Sequence, residues 1–106
     1  MSKYLIHASY STEGIKGILK GGGSARRAAI QEAAQSVEGR LEAIYFGFGE
    51  HDAFAILELP NNVSAAALAL VVNASGAARA KTTVLLTPEE VDQATKSTVR
   101  YRPPGQ

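Results

Sequence analysis

Three segments of the chain carry apolar side chains at odd and even positions alike, and that doubled pattern limits the fold more than any motif. In KYLIHASY (residues 3–10), Tyr4, Ile6, Ala8 and Tyr10 fall on one side of an extended strand and Leu5 and His7 on the other. In AFAILEL (53–59), Ala53, Ala55, Leu57 and Leu59 oppose Phe54 and Ile56. In RLEAIYFGF (40–48), strict alternation sets Leu41, Ala43 and Tyr45 against Glu42, Ile44, Phe46 and Phe48. A sheet with one face in water would show a polar set in every strand. These strands need cover on both faces.

The intervening segments decide how much of that cover the chain supplies itself. Thr12 reads as the N-cap of a helix with Ile15, Ile18 and Leu19 on one face. Gly21-Gly22-Gly23 interrupts it, because each glycine costs about 1 kcal/mol in a helix relative to Ala. Ser24 restarts it for ARRAAIQEAAQSVEG, where Ala29, Ile30, Ala33, Ala34 and Val37 make the apolar stripe and Gly39 the stop. Gly49-Glu50-His51-Asp52 has hairpin length. Pro60 stops the third strand, Asn61-Asn62 and Ser64 cap a second helix over 63–74, and Ser75-Gly76 ends it. AKTTVLLT (80–87) is a fourth strand, and Pro88-Glu89-Glu90 opens a last short helix with acids at its positive end.

The order βαββαβ predicts an α+β, ferredoxin-like sandwich: a four-stranded antiparallel sheet with both helices on one face. Residues 1–94 then form a single domain, and 95–106, with Lys96, Arg100, Arg102 and Pro103-Pro104, a polar tail or arm. The second sheet face stays bare unless Val99-Arg100-Tyr101 folds back as a lid. Packing of a second copy, sheet on sheet, is the reading the patterning favours, since so large an apolar face exceeds what a monomer exposes. A homodimer or higher oligomer is expected.

Composition sets the outer bounds. At 106 residues, with 45% hydrophobic and 20% charged, the chain is one globular domain and not a disordered segment. Many of its apolar residues are Ala and none is Trp, so each buried side chain contributes little area. A formal net charge of +1 offers no nucleic-acid or membrane surface. With no Cys, a disulfide framework, a thiolate nucleophile, a Cys-ligated zinc and an iron–sulfur cluster are excluded. Absence of Cys suits a reducing compartment. Tyr4-Leu5-Ile6 is too short for a signal-peptide core, and no run approaches the ~20 apolar residues of a membrane span. A cytoplasmic location is expected.

Few residues carry chemistry. His51-Asp52 at the hairpin could form an acid/base couple at a cavity mouth, or Asp52 could satisfy turn amides beside a solvated His51. His7, inside the first strand, needs a partner if half-buried. It is a base or ligand within an inter-subunit cavity or, more simply, a satisfied structural histidine; without a second ligand nearby it does not argue for metal. Tyr4, Tyr10, Tyr45, Phe46 and Phe48 could line an apolar pocket with polar tips, or serve only packing. Arg26 and Arg27 follow the glycine run, yet those glycines follow a helix and lack a P-loop Lys-Ser or Lys-Thr. No metal or cofactor is expected.

Several stretches together resemble one family. KYLIHASYSTEGIKGI at the start, Gly39-Arg40-Leu41-Glu42-Ala43-Ile44-Tyr45, the turn Gly49-Glu50-His51-Asp52, and the Ala-rich second helix leading to Lys81-Thr82-Thr83-Val84 are similar to the GYD domain family. The likeness covers the chain to about Ala94. The family's name motif usually has Tyr before the Asp; here that position is His51, so a role needing a phenol there is not implied. The resemblance implies a dimeric α/β barrel and no particular reaction, since relatives of this architecture include cofactor-free oxygenases, haem enzymes and small-molecule binders. Three functions are therefore weighed. The first is a homo-oligomeric module binding a small apolar ligand between sheets. The second is a cofactor-independent oxygenase or isomerase with His51 or His7 as base. The third is a purely structural subunit.

Overall fold

A computed structural model describes residues 1–106. Its elements are β1 (Ser2–Tyr10), α1 (Thr12–Ser36), β2 (Arg40–Phe46), β3 (Ala53–Leu59), α2 (Asn62–Ala74), β4 (Ala78–Leu85) and α3 (Pro88–Thr95). All four strands pair antiparallel in the order β2-β3-β1-β4. This is the ferredoxin-like arrangement that the sequence predicts. β1 and β3 occupy the centre, where backbone groups are paired on both sides.

Ser11, one residue before the expected Thr12, caps α1 by accepting from the Gly14 N–H. The glycine run breaks the segment as the sequence predicts, leaving two helical stretches joined at a kink. Only Gly22 leaves helical geometry (φ 81°, ψ 174°), and the helix resumes beyond the kink. Past the kink, Ala34 is fully buried and Ala33 and Val37 pack on the core. Before it, Ile15 and Leu19 are exposed. α2 is capped by the Asn61 side chain, which accepts from Ser64 N–H at 3.0 Å. β4 begins at Ala78, two residues ahead of its expected start.

β2 departs from the strict alternation expected of it. Leu41 pairs with Leu57 and Ala43 with Ile56, which are adjacent on β3, so Glu42 is an extra residue in a β-bulge. Every side chain beyond the bulge therefore changes face. Ile44 and Phe46 join Leu41 under the helices, while Ala43 and Tyr45 lie on the bare side.

Tyr4, Ala34, Ala55, Leu57, Leu59, Ala65 and Leu68 form the core between the sheet and the two long helices. Its sheet side is floored largely by alanine, at Ala8, Ala53, Ala55, Ala78 and Ala80. These small side chains leave an apolar slot of about 50 Å³ below Ile30 of α1 and Val72 of α2. α3 opens with a capping box: Thr87 accepts from Glu90 N–H, and the Glu90 carboxylate accepts from Thr87 N–H. No residue of α3 is buried. Val99 and Tyr101 are 76% and 73% exposed, so the tail forms no lid. A radius of gyration of 16.7 Å, against about 13 Å for a closed domain of this length, fits an arm that leaves the body. No helix is long and apolar enough to cross a membrane.

Candidate functional site: the open sheet face and its cationic end

Residues directly opposite each other in paired strands share a face, so the register writes out the bare side row by row. Arg40, Glu58, Lys3 and Leu85 make the first row, then Ala43, Ile56, Leu5 and Thr83, then Tyr45, Phe54, His7 and Lys81. Ser9 and Arg79 follow. At the first row the charges cancel. Glu58 accepts from Arg40 Nε at 2.7 Å and lies 3.4 Å from Lys3 Nζ, and Lys3 also donates to Glu42. The Arg40 hydrogen bond, aided by Lys3, holds the Glu58 carboxyl below its usual range. The hydrogen bond to Glu42 raises the Lys3 ammonium above its own. Between the ends, Leu5, Ala43, Ile56, Tyr45 and Phe54 make an apolar band, with Tyr45 72% and Phe54 38% exposed.

The opposite end is built differently. His7, Ser9, Glu50, His51, Arg79 and Lys81 line a recess of about 210 Å³ with no apolar residue in its wall. The hairpin brings His51 back over β1, so that the two imidazole centroids stand 4.2 Å apart, with Phe54 edge-on to His51 at 5.9 Å. His7 Nδ1 is buried without a hydrogen-bond partner. Ser9 Oγ donates to the Glu50 carbonyl at 3.3 Å. The ion pairs of the chain involve Lys3, Lys16 and Arg40, and neither Arg79 nor Lys81 forms one.

The sequence candidates divide among several places. His7 and His51, considered separately in the sequence, meet. Asp52 turns away from His51: its carboxylate accepts from Tyr10 N–H at 2.9 Å, its N–H donates to Ala8 O at 2.8 Å, and its carbonyl accepts from Gly47 N–H at 2.9 Å. It fastens the hairpin to the end of β1. Tyr4 is buried beneath the helices and donates to Asn62 Oδ1 at 2.6 Å. Tyr10 is on the same covered face, where its hydroxyl accepts from Arg26 Nε at 3.3 Å and its ring lies 5.5 Å from the guanidinium carbon. Phe46 packs beside Gly23 on that side, and Phe48 is fully exposed in the β2–β3 connection. Of the five aromatics, Tyr45 alone is on the open face, so the five do not converge on one pocket.

Sequence reading missed Ser9, Glu50, Arg79 and Lys81. Alternation within β4 places Arg79 and Lys81 together, but only the antiparallel register sets Lys81 across from His7 and Arg79 across from Ser9. No group of three or more His, Asp and Glu side chains is placed to hold a metal ion. Two touching imidazoles and two cations outside any ion pair, against the single acid Glu50, suit a negatively charged group. Among known proteins, the family model of the GYD domain matches residues 4–95, from β1 to the end of α3. The chain matches no curated protein and no solved structure.

Proposed function

The chain belongs to the GYD domain family, and from that premise we propose that it is a homo-oligomeric small-ligand-binding or accessory module of the cytoplasm, its copies stacking open sheet faces. The observation that carries this reading is the bare apolar band of Leu5, Ala43, Tyr45, Phe54 and Ile56. Burying a large apolar side chain contributes roughly 1.5–3 kcal/mol, and four such side chains lie on this face of each copy. The protomer has reason to recruit that burial, because only nine of its residues are buried and most of those are Ala. Stacked sheets stand about 10 Å apart, with side chains from both filling the gap. Small residues such as Ala43 and Thr83 leave room there for a ligand.

Size exclusion with light scattering tests the assembly: a dimer or larger species at micromolar concentration is expected, and a clean monomer would overturn it. Native mass spectrometry tests the ligand, and a retained small molecule is the expected result. An oligomer that carries none and binds none supports the purely structural subunit instead.

The His7–His51 contact favours a second reading, a cofactor-independent oxygenase or isomerase in which one imidazole removes a proton from a substrate resting near Tyr45 and Phe54. General base work needs such a group within hydrogen-bond reach of the substrate. Under this reading His51→Ala and His7→Ala each fold and lose turnover, and undiminished turnover in both would reject it.

A further inference from the structure

The two ends of the open face are unlike in a way that assembly does not require. At one end Lys3 and Arg40 are matched by Glu42 and Glu58. At the other, Arg79 and Lys81 stand beside two histidines with no ion pair. Glu50 is the only acid in the wall of that recess. Asp52, the nearest other acid in sequence, is committed to the Tyr10 N–H.

His7 adds a directional argument. Its Nδ1 is buried and unpartnered. A buried N–H without an acceptor is a rarer and costlier orphan than an unpaired acceptor. With its proton on Nε2, a neutral His7 offers a donor to the recess it lines. A donor imidazole, a second imidazole in contact with it, a guanidinium and an ammonium all favour an oxygen anion. Arg presents a planar fork to a carboxylate and Lys a point charge. Just beyond the recess the surface turns apolar at Phe54, whose ring meets His51 edge-on, and then at Ile56.

We propose that this recess holds the carboxylate head of a small ligand whose apolar or aromatic body lies across Phe54 and Ile56. The proposal rests on reading the open face as a ligand surface, and it names the ligand class for that surface: a small amphipathic acid. Head and body are then read by neighbouring rows of one sheet.

Proton NMR of the intact protein at neutral pH provides the test, because the chain has two histidines and both are in the site. Benzoate is the probe, benzamide its neutral counterpart, and acetate the head without the body. Benzoate is expected to shift both imidazole resonances saturably, with a dissociation constant on the order of 1 mM or below. Benzamide should leave them in place, and acetate should bind more weakly. Lys81→Ala and Arg79→Ala, both at exposed positions, should keep the folded spectrum and each weaken benzoate about tenfold.

Silent imidazoles, equal shifts from benzamide, or undiminished binding in the Arg79→Ala, Lys81→Ala double variant would overturn the proposal. Acetate binding as tightly as benzoate would overturn its apolar half. Benzoate bound by a monomeric protein would support the recess and count only against the assembly. An oligomer with silent imidazoles would do the reverse.

Discussion

Gly14 and Gly17 lie on the same helix three residues apart, and replacing each with Ala should move stability in opposite directions. A Cβ at Gly14 would fall 2.1 Å from the Ala77 carbonyl oxygen, 3.1 Å from its carbon and 3.2 Å from Tyr10 Cβ. That oxygen is already the acceptor for Ser11 N–H at 2.9 Å and Ser11 Oγ at 3.2 Å. The new methyl must therefore drive the first turn of α1 away from the chain entering β4. Overpacking of this kind costs about 1–3 kcal/mol. Losing one of the Ser11 hydrogen bonds adds about 0.5–1.5 kcal/mol. The better helix propensity of Ala returns about 1 kcal/mol. Net destabilisation is about 0.5–3.5 kcal/mol.

At Gly17 nothing lies within 4 Å of the added Cβ, so only the propensity gain remains. Gly17→Ala should stabilise by about 0.5–1 kcal/mol. Urea unfolding followed by circular dichroism, at one fixed protein concentration, reads both changes as shifted midpoints with unchanged slope. In thermal melts each kcal/mol corresponds to roughly 4–8 °C. A Gly14→Ala protein as stable as the parent would refute the steric argument, and loss of stability in Gly17→Ala would refute the helix argument.

Ile56→Lys puts a charge in the middle of the bare face. Under the assembly proposal it should weaken association by about 100-fold or more, with the protomer still folded; an unchanged mass by light scattering would count against stacking through this face. Asp52→Ala leaves Tyr10 N–H without its acceptor and should cost about 1–3 kcal/mol, which a urea midpoint would show; a neutral result would mean that the hairpin is held by its backbone bonds alone. For Glu58, Arg40 first and Lys3 second hold the folded carboxyl below its ordinary value of 4.5. A lowered folded value means stabilisation that is present above about 4.5 and fades as pH falls through the folded value. Glu58→Gln should therefore melt below the parent at neutral pH, and the gap should close in acid. A gap of constant size across that range is the contrary result.

The order of elements was legible because each carries local signals that agree with its tertiary role. Pro88, Glu89 and Glu90 announce α3, and Tyr4, Ile6, Ala55 and Leu57 announce the central strands by period. The break of α1 at its glycines was legible from propensity, and Gly22 is where the backbone leaves the helix. One feature was not legible. The bulge at Glu42 has no local signature, and it carries Tyr45 and Phe46 to sides opposite those that alternation assigns. For the site, period placed Tyr4 and Tyr10 together correctly, but nothing in the pattern says which face the helices cover. His51 meets His7 through the path of a loop, and Lys81 meets it through register. Neither relation is written in spacing.

The bulge also bears on the length of β2. That strand is one residue longer than the sheet needs, since its neighbours on β3 are consecutive on either side of Glu42. Removing Glu42 would join Leu41 directly to Ala43 and restore plain alternation, with Ile44 still under the helices and Tyr45 still on the bare side. Within most strands the loss of one residue exchanges the two faces. Here a deletion would leave them as they are, at the expense of the Lys3–Glu42 contact. The same arithmetic forbids the deletion further along: losing Tyr45 would draw Phe46 out of the covered side or pull the hairpin inward. β2 thus has one position of slack and no more, and it falls beside the ion-paired end of the sheet, away from the histidines.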